Sequence, residues 1–302
     1  MKAVVFAYHN VGVRCLKVLL ARGVEVALVV THEDNPQETI WFESVASLCR
    51  QHGIPTAAPD NPATPELLAQ VAALAPDLIF SFYYRHMLPL NLLALAKHGA
   101  FNMHGSLLPK YRGRVPINWA VLHGETETGA TLHEMAAKPD AGCIVAQTSV
   151  PILPDDTAYE VFGKVVVAAE QTLWNALPAM LAGNTPKMPN DLTQGSYFGG
   201  RKPADGEIDW SQPAQKVYNL YRAVAPPYPG AWTIAKGRTF VIGKASFPAN
   251  LAADALVNLP QGLAVVDNHI VGVCGDGRAL LINQLLANDQ AVAPEALKNI
   301  LL

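Results

Sequence analysis

Phe101-Asn102-Met103-His104-Gly105-Ser106-Leu107-Leu108-Pro109 is the stretch on which the reading of this chain turns. Its first four residues alternate apolar and polar, the period of a strand. Asn102 and His104 then share one face, while Phe101 and Met103 turn to the other. Gly105 and Ser106 break the strand. A carboxamide and an imidazole thus stand side by side at a strand's carboxyl end, where open α/β sheets bind ligands.

Short apolar runs and helical patterns alternate on the amino-terminal side of this strand. Residues 3–7, 24–30 and 78–82 read as buried strands. Residues 11–22 read as a helix stopped by Gly23, residues 41–52 as a helix stopped by Gly53, and residues 65–75 as a helix opened by Pro65. Such alternation predicts a doubly wound, mostly parallel sheet. Farther on, Thr157 and Glu160 have capping-box spacing and open a long helix that contains Pro178 and ends at Gly183. Residues 183–204 are rich in turn formers. After one more helix (213–223) come short β-rich pieces at 232–234, 239–242, 263–266, 270–273 and 279–282. Pairs such as Asp267-Asn268 separate them, the pattern of a small OB-like β-barrel. The expected organisation is a catalytic domain at 1–189, a linker at 190–203 and a second domain at 204–302.

The 302 residues carry 22 Lys and Arg against 25 Asp and Glu, a net charge of −3, so no global attraction to nucleic acid or anionic membrane is expected. Four scattered cysteines form no CxxC pair and read as reduced thiols. The apolar run 3–7 is too short for a signal peptide, and no run is long enough to span a bilayer. A cytoplasmic protein is expected. GxGxxG, Walker, GxSxG and HExxH patterns are all missing from the sequence, so no dinucleotide, P-loop, esterase-type or metal site is expected.

The chemistry-bearing residues that remain are Asn102, His104 and Asp140, the last in the turn signal Lys138-Pro139-Asp140-Ala141-Gly142. A carboxylate there could pair with His104, raise its pKa and orient the ring. Spacing alone leaves open that Asn102 and His104 cap a strand end and Asp140 shapes a turn. Lys110, Arg112 and Arg114 around Gly113 read equally as an anion clamp or as a solvated loop.

These residues resemble the folate-dependent formyltransferase family. The similar elements are Asn102-Met103-His104, Ser106-Leu107-Leu108-Pro109, Tyr111-Arg112-Gly113 and Asp140-Ala141-Gly142. Asp205-Gly206-Glu207-Ile208-Asp209-Trp210, Arg222-Ala223 and Pro229-Gly230-Ala231 resemble the start of the family's second domain. Four further stretches are most similar to members that formylate UDP-4-amino-4-deoxy-L-arabinose for lipid A modification: Val4 to His9, Thr31 to Pro36, Phe80 to His86 and Gly124 to Gly129. The pathway so implied confers resistance to cationic peptides. Those members continue into a decarboxylating dehydrogenase that this sequence lacks, so no oxidative decarboxylation is expected.

The resemblance implies 10-formyltetrahydrofolate as co-substrate and no metal. It implies that Asn102, His104 and Asp140 are catalytic. His86, Met87, Leu88, Arg114, Ala136, Ala137, Lys138, Pro139 and Asp140 would contact folate, and Tyr83, Tyr84, Arg85 and Lys110 would shape the amino-sugar side. A protonated His104 would donate to the formyl oxygen beside Asn102 or hand a proton to the leaving nitrogen. Three rivals stand beside this reading: another sugar nucleotide N-formyltransferase, methionyl-tRNA formyltransferase, and a non-catalytic folate or nucleotide-sugar binding protein. Residues 32–47 hold four acidic residues and no Lys or Arg, and residues 204–302 hold seven basic against eight acidic residues. Both counts argue against a tRNA partner. Oligomeric state is not legible.

Overall fold

The computed structural model describes residues 1–248, 256 and 259–302. The chain divides into two compact units, one of residues 1–116, 127–151 and 162–199, the other of residues 117–126, 152–161 and 200–302.

The first unit opens with β1 (Lys2–Ala7), α1 (His9–Ala21), β2 (Glu25–Val30), α2 (Val45–Gln51), β3 (Thr56–Ala57), α3 (Pro65–Leu74), β4 (Leu78–Phe82), α4 (Leu90–Leu93) and β5 (Ala100–His104). It continues through β6 (Arg112–Gly113), α5 (Pro116–Leu122), β7 (Glu127–Glu134), β8 (Ile144–Pro151), α6 (Ala158–Leu181) and β9 (Tyr197–Phe198), with α5 and α6 running across the unit boundary. Seven strands form one sheet in the order β3-β2-β1-β4-β5-β7-β8. The first five are parallel; β7 runs antiparallel to β5, and β8 antiparallel to β7. The core is aromatic: Phe6, Phe80, Phe82 and Phe101 are fully buried, each contributing roughly 1.5–3 kcal/mol.

Local signals explain the helix ends. Gly23 adopts φ 72°, the left-handed stop expected after α1. Thr157 and Glu160 make the reciprocal cap: the Thr157 N–H donates to Glu160 Oε2 at 2.7 Å, and the Glu160 N–H to Thr157 Oγ1 at 3.4 Å. One helix starts later than its sequence predicts. The pattern at 41–52 becomes a helix only at Val45, because Ser44 caps it through the Ser47 N–H (3.2 Å). Trp41 and Phe42 are drawn instead into a ring cluster on His9.

Strand order fixes where a ligand can sit. From β1 the chain winds outward through β2 and β3, then returns to place β4 on the other side of β1. The order therefore reverses between β1 and β4, and the crevice beyond their carboxyl ends is the general ligand position of such sheets. Tyr8 and His9 follow β1 there, Tyr83 to Arg85 follow β4, and β5 is the next strand along.

The second unit holds α7 (Ala214–Val224), β10 (Ala231–Ala235), β11 (Arg238–Ser246), β12 (Gly262–Val266), β13 (His269–Val273), β14 (Ala279–Ala287), β15 (Gln290–Ala291) and α8 (Pro294–Leu301). Its strands form an antiparallel half-barrel in the order β10-β11-β14-β13-β12, with β15 on β14. Asp267 and Asn268 both take positive φ (45° and 62°), as a two-residue hairpin turn of the primed type requires. Buried Arg222 ties α7 to the 152–161 segment, donating to the Asp156 carbonyl (3.1 Å) and to Asn219 Oδ1 (2.6 Å).

Candidate active site

β5 delivers Asn102 and His104 to the carboxyl edge of the sheet, and its antiparallel neighbour β7 places His133 directly opposite Asn102. Asn102 Nδ2 donates to His133 Nε2 at 3.1 Å. Asp140 arrives on the turn after β7. Its Oδ1 stands 3.6 Å from His104 Nδ1 and 3.4 Å from His133 Nε2, and its Oδ2 accepts the Gly113 N–H at 2.8 Å. Asn102, His104 and Asp140 are thus brought together, and His133 joins them.

Main-chain carbonyls decide where the imidazole protons lie. A carbonyl only accepts, so the 2.8 Å contact between His104 Nε2 and the Tyr111 oxygen puts a proton on Nε2. The 2.8 Å contact of His133 Nδ1 with the Glu134 oxygen does the same at that nitrogen. The two remaining ring nitrogens, His104 Nδ1 and His133 Nε2, both face Asp140 Oδ1. At 3.4–3.6 Å they lie slightly beyond ordinary hydrogen-bond length. The carboxylate and the two ring nitrogens together form a seat that can hold a proton.

Burial lowers the His104 pKa, and it outweighs the raising effects of Asp140 and of the Tyr111 carbonyl. Asp140 raises the His104 pKa as expected, but desolvation of a 6% exposed ring wins over one carboxylate. The expected aim of the ring is corrected, since one nitrogen is held by Tyr111 and the other faces Asp140. Burial pushes the Asp140 carboxyl up, but His104, His133 and the Gly113 N–H hold it well below the usual carboxylate range.

The other expected site residues are placed as follows. His86 and Met87 are exposed, Met87 by 62%, with Leu90 close along the chain at 57%. Leu88 is 8% exposed within the core that holds Phe6, Ile79 and Leu92, so its side chain is not open to a ligand, contrary to the expectation. Ala136, Ala137, Lys138, Arg114 and Lys110 are exposed, and Pro139 is half-buried. Tyr83 and Tyr84 part ways. Tyr84 lies in the same core, stacked on His32 at 4.2 Å, and burial pushes its hydroxyl up to about 12; its expected place on the sugar side is corrected for that reason. Tyr83, at φ 59°, is half-buried, and a Cβ placed on Gly105 would collide with its hydroxyl. Tyr83 therefore lies against the residue after His104.

Around the β1/β4 crevice, Arg85 makes a two-pronged ion pair with Glu38 (2.8 Å twice) and stands over the Tyr8 ring. Tyr8 donates its hydroxyl to Asp34 Oδ1 at 2.7 Å. His9, at φ 67°, stacks on Phe42 and meets Trp41 and Phe162 edge-on, and burial brings its pKa down to about 3. His32 accepts the Arg85 N–H at 3.0 Å, and burial brings it down to about 4. Among the described residues, no group of three or more His, Cys, Asp or Glu is arranged to hold a metal ion, and no helix is long and apolar enough to cross a membrane.

Two family models account for almost the whole chain: "Formyl transferase" matches residues 1–177, and "Formyl transferase, C-terminal domain" matches residues 201–300. Solved structures share the fold. An N-formyltransferase from Helicobacter canadensis, in complex with folinic acid and dTDP-3-aminofucose, is 17% identical with a TM-score of 0.72, over 93% of this chain and 98% of its own. WlaRD, a sugar 3N-formyl transferase in the presence of dTDP and 5-N-formyl-THF, is 18% identical with a TM-score of 0.73, over 96% of this chain and 98% of its own. HypX from Aquifex aeolicus, in complex with tetrahydrofolic acid, is 19% identical with a TM-score of 0.67, over all of this chain and 47% of its own.

Proposed function

The chain belongs to the formyl transferase family and is a folate-dependent formyltransferase, and from that premise we propose that it moves the formyl group of 10-formyltetrahydrofolate to the 4-amine of UDP-4-amino-4-deoxy-L-arabinose. The observation that carries the chemistry is the proton seat formed by Asp140, His104 and His133 beside the Asn102 amide. The choice of acceptor rests on the four stretches named above and on the acidic 32–47 segment, which does not suit a polyanionic tRNA.

Surface chemistry on the same unit fits a folate. A pterin needs an apolar contact for its face and main-chain polar groups for its edge. Met87 and Leu90 present large exposed apolar side chains, and residues 136–138 bring main chain to the surface on the turn that carries Asp140. When bound, the folate supplies an activated formyl group on N10, whose oxygen gains negative charge as the amine adds and whose nitrogen needs a proton to leave.

Asn102 uses one amide hydrogen on His133 and has a second to donate to that oxygen. The acceptor attacks as a neutral amine, so that one proton has to be moved from its nitrogen to the folate nitrogen. Asp140 and the two facing ring nitrogens take the proton that the attacking amine loses and return it to the departing nitrogen. Tyr111 and Gly113 act through their main chain, holding the His104 tautomer and the Asp140 carboxylate. Tyr83, His9, Trp41 and Phe42 line the β1/β4 crevice and receive the sugar nucleotide, with Arg85 offering a cation to its diphosphate once it leaves Glu38.

Release of tetrahydrofolate is the test, with UDP-4-amino-4-deoxy-L-arabinose, dTDP-linked amino-hexoses and charged initiator tRNA as acceptors. Turnover with the first alone is expected. Faster turnover with a dTDP-amino-hexose would move the assignment to another sugar nucleotide, and folate binding with no release on any amine would leave a binding protein.

A further inference from the structure

Residues 183–204 read in the sequence as a tether, yet the chain from Lys187 to Phe198 is built into the site. Lys187 pairs with Glu134 on β7 at 2.7 Å. Met188 and Ile144 exchange both main-chain hydrogen bonds, at 2.9 and 2.8 Å, which fixes the arriving chain beside β8. Asn190 then donates from Nδ2 to two carbonyls, Asp140 at 3.0 Å and Gly142 at 3.1 Å. A carboxamide nitrogen has two hydrogens, and both are used on this one turn.

That turn has reason to need a staple. Asp140 sits at φ 51°, a left-handed conformation that non-glycine residues adopt at a cost. Gly142 presses so closely on β7 that a Cβ there would collide with the Glu134 carbonyl. The carboxylate of Asp140 can face His104 and His133 only while the turn keeps this shape. The same segment also holds the opposite arm. Ser196 Oγ accepts the Tyr111 N–H at 2.9 Å, and the Arg112 and Arg114 N–H groups donate to the Ser196 and Phe198 carbonyls at 3.0 Å each.

We propose that Asn190 is a positioning residue for Asp140: its carboxamide holds the left-handed turn that aims the carboxylate at the two imidazoles. This rests on the reading of the cluster given above and names a residue that acts on it from outside the reacting groups.

The experiment uses the whole chain with Asn190→Ala and Asn190→Asp, the latter placing an anion against two carbonyls. Two readouts are taken. The first is the His104 titration by NMR without substrate. Asp140 is the charge that raises this titration, against burial and His133, with the Tyr111 carbonyl on the far nitrogen. A shift to lower pH is expected in Asn190→Ala, whereas the added anion of Asn190→Asp itself pulls the titration upward, so that variant is read by its rate. The second is steady-state formyl transfer, where kcat should fall roughly tenfold with both KM values within about twofold. In an Asp140→Asn background, Asn190→Ala should add no further loss, because the two act as one unit. An unchanged His104 titration in Asn190→Ala, or a full additional loss in the Asp140→Asn background, would overturn the proposal. Where Asn190→Ala does not fold, Asn190→Ser, which keeps one donor, should show an intermediate shift, and wild-type behaviour in that variant counts against it. If wild type formylates none of the amines, the proposed acceptor chemistry fails, while the NMR arm still decides the role of Asn190.

Discussion

Asn102→Ala isolates one hydrogen-bond donor. In the resting site its Nδ2 spends one hydrogen on His133 Nε2 at 3.1 Å, and the proposed mechanism uses the other on the formyl oxygen. Loss of a single donor to a developing oxyanion costs about 2.7–4 kcal/mol of transition-state stabilisation. At 1.36 kcal/mol per decade that is roughly a hundred- to thousandfold in kcat. Ground-state binding of folate and amine does not use the donor in the same way, so both KM values should stay within about threefold. The fold loses one hydrogen bond to a buried ring, about 1 kcal/mol, or a fall in Tm of roughly 2–4 °C. Tetrahydrofolate release at saturating acceptor, beside a thermal melt, separates the two effects. A kcat within threefold of wild type in a folded Asn102→Ala protein would refute the oxyanion role of this amide.

Other perturbations address the neighbouring groups. His133→Phe keeps the ring volume but removes the nitrogen that orients Asn102 and shares the proton seat; kcat should fall at least roughly tenfold with KM preserved, and an unchanged kcat would relegate His133 to packing. Gly105→Ala drives a methyl group into the Tyr83 hydroxyl, so the acceptor KM should rise while the folate KM holds, as initial rates across both substrates will report. His9 has a folded pKa of about 3 against an ordinary 6.5, so the unfolded chain takes its proton first. The stability that neutral His9 provides is full above pH 6.5 and drains away as pH falls toward 3, by up to about 2 kcal/mol between pH 6.5 and 5. His32 and His104 act in the same direction. Denaturant melts at the two pH values should show a shallower dependence in His9→Asn, which keeps a side chain tolerant of positive φ; equal slopes would contradict the burial argument.

What could be read in advance divides by physical type. Alternation in residues 101–104, near-continuous apolar strands and glycine stops are local, and they carried the sheet, most helix ends and the pair Asn102 and His104. His133 was not legible, because its partner is set by the antiparallel register of β7 against β5, and register is a property of two strands. The Tyr111 carbonyl and the Gly113 N–H are main-chain groups with no side-chain signature; the first puts a proton on His104 Nε2 and the second holds the Asp140 carboxylate. The charge of His104 was misjudged because one carboxylate could be named from sequence while the depth of burial could not. Tyr83 and Tyr84 are adjacent and chemically alike; only the left-handed backbone at Tyr83 sends one toward the crevice and leaves the other in the core.

The strand order has a consequence for how such a protein can diversify. In the proposed mechanism the acceptor-facing side chains hang from the edges of β1 and β4, whereas the proton-handling groups hang from β5, β7 and the turn beyond. Loop 31–43 can be rewritten for a different amine without disturbing a single bond among Asn102, His133, His104 and Asp140. Selectivity and reactivity are therefore separately mutable, and a library confined to that loop should yield altered preferences at undiminished chemical competence.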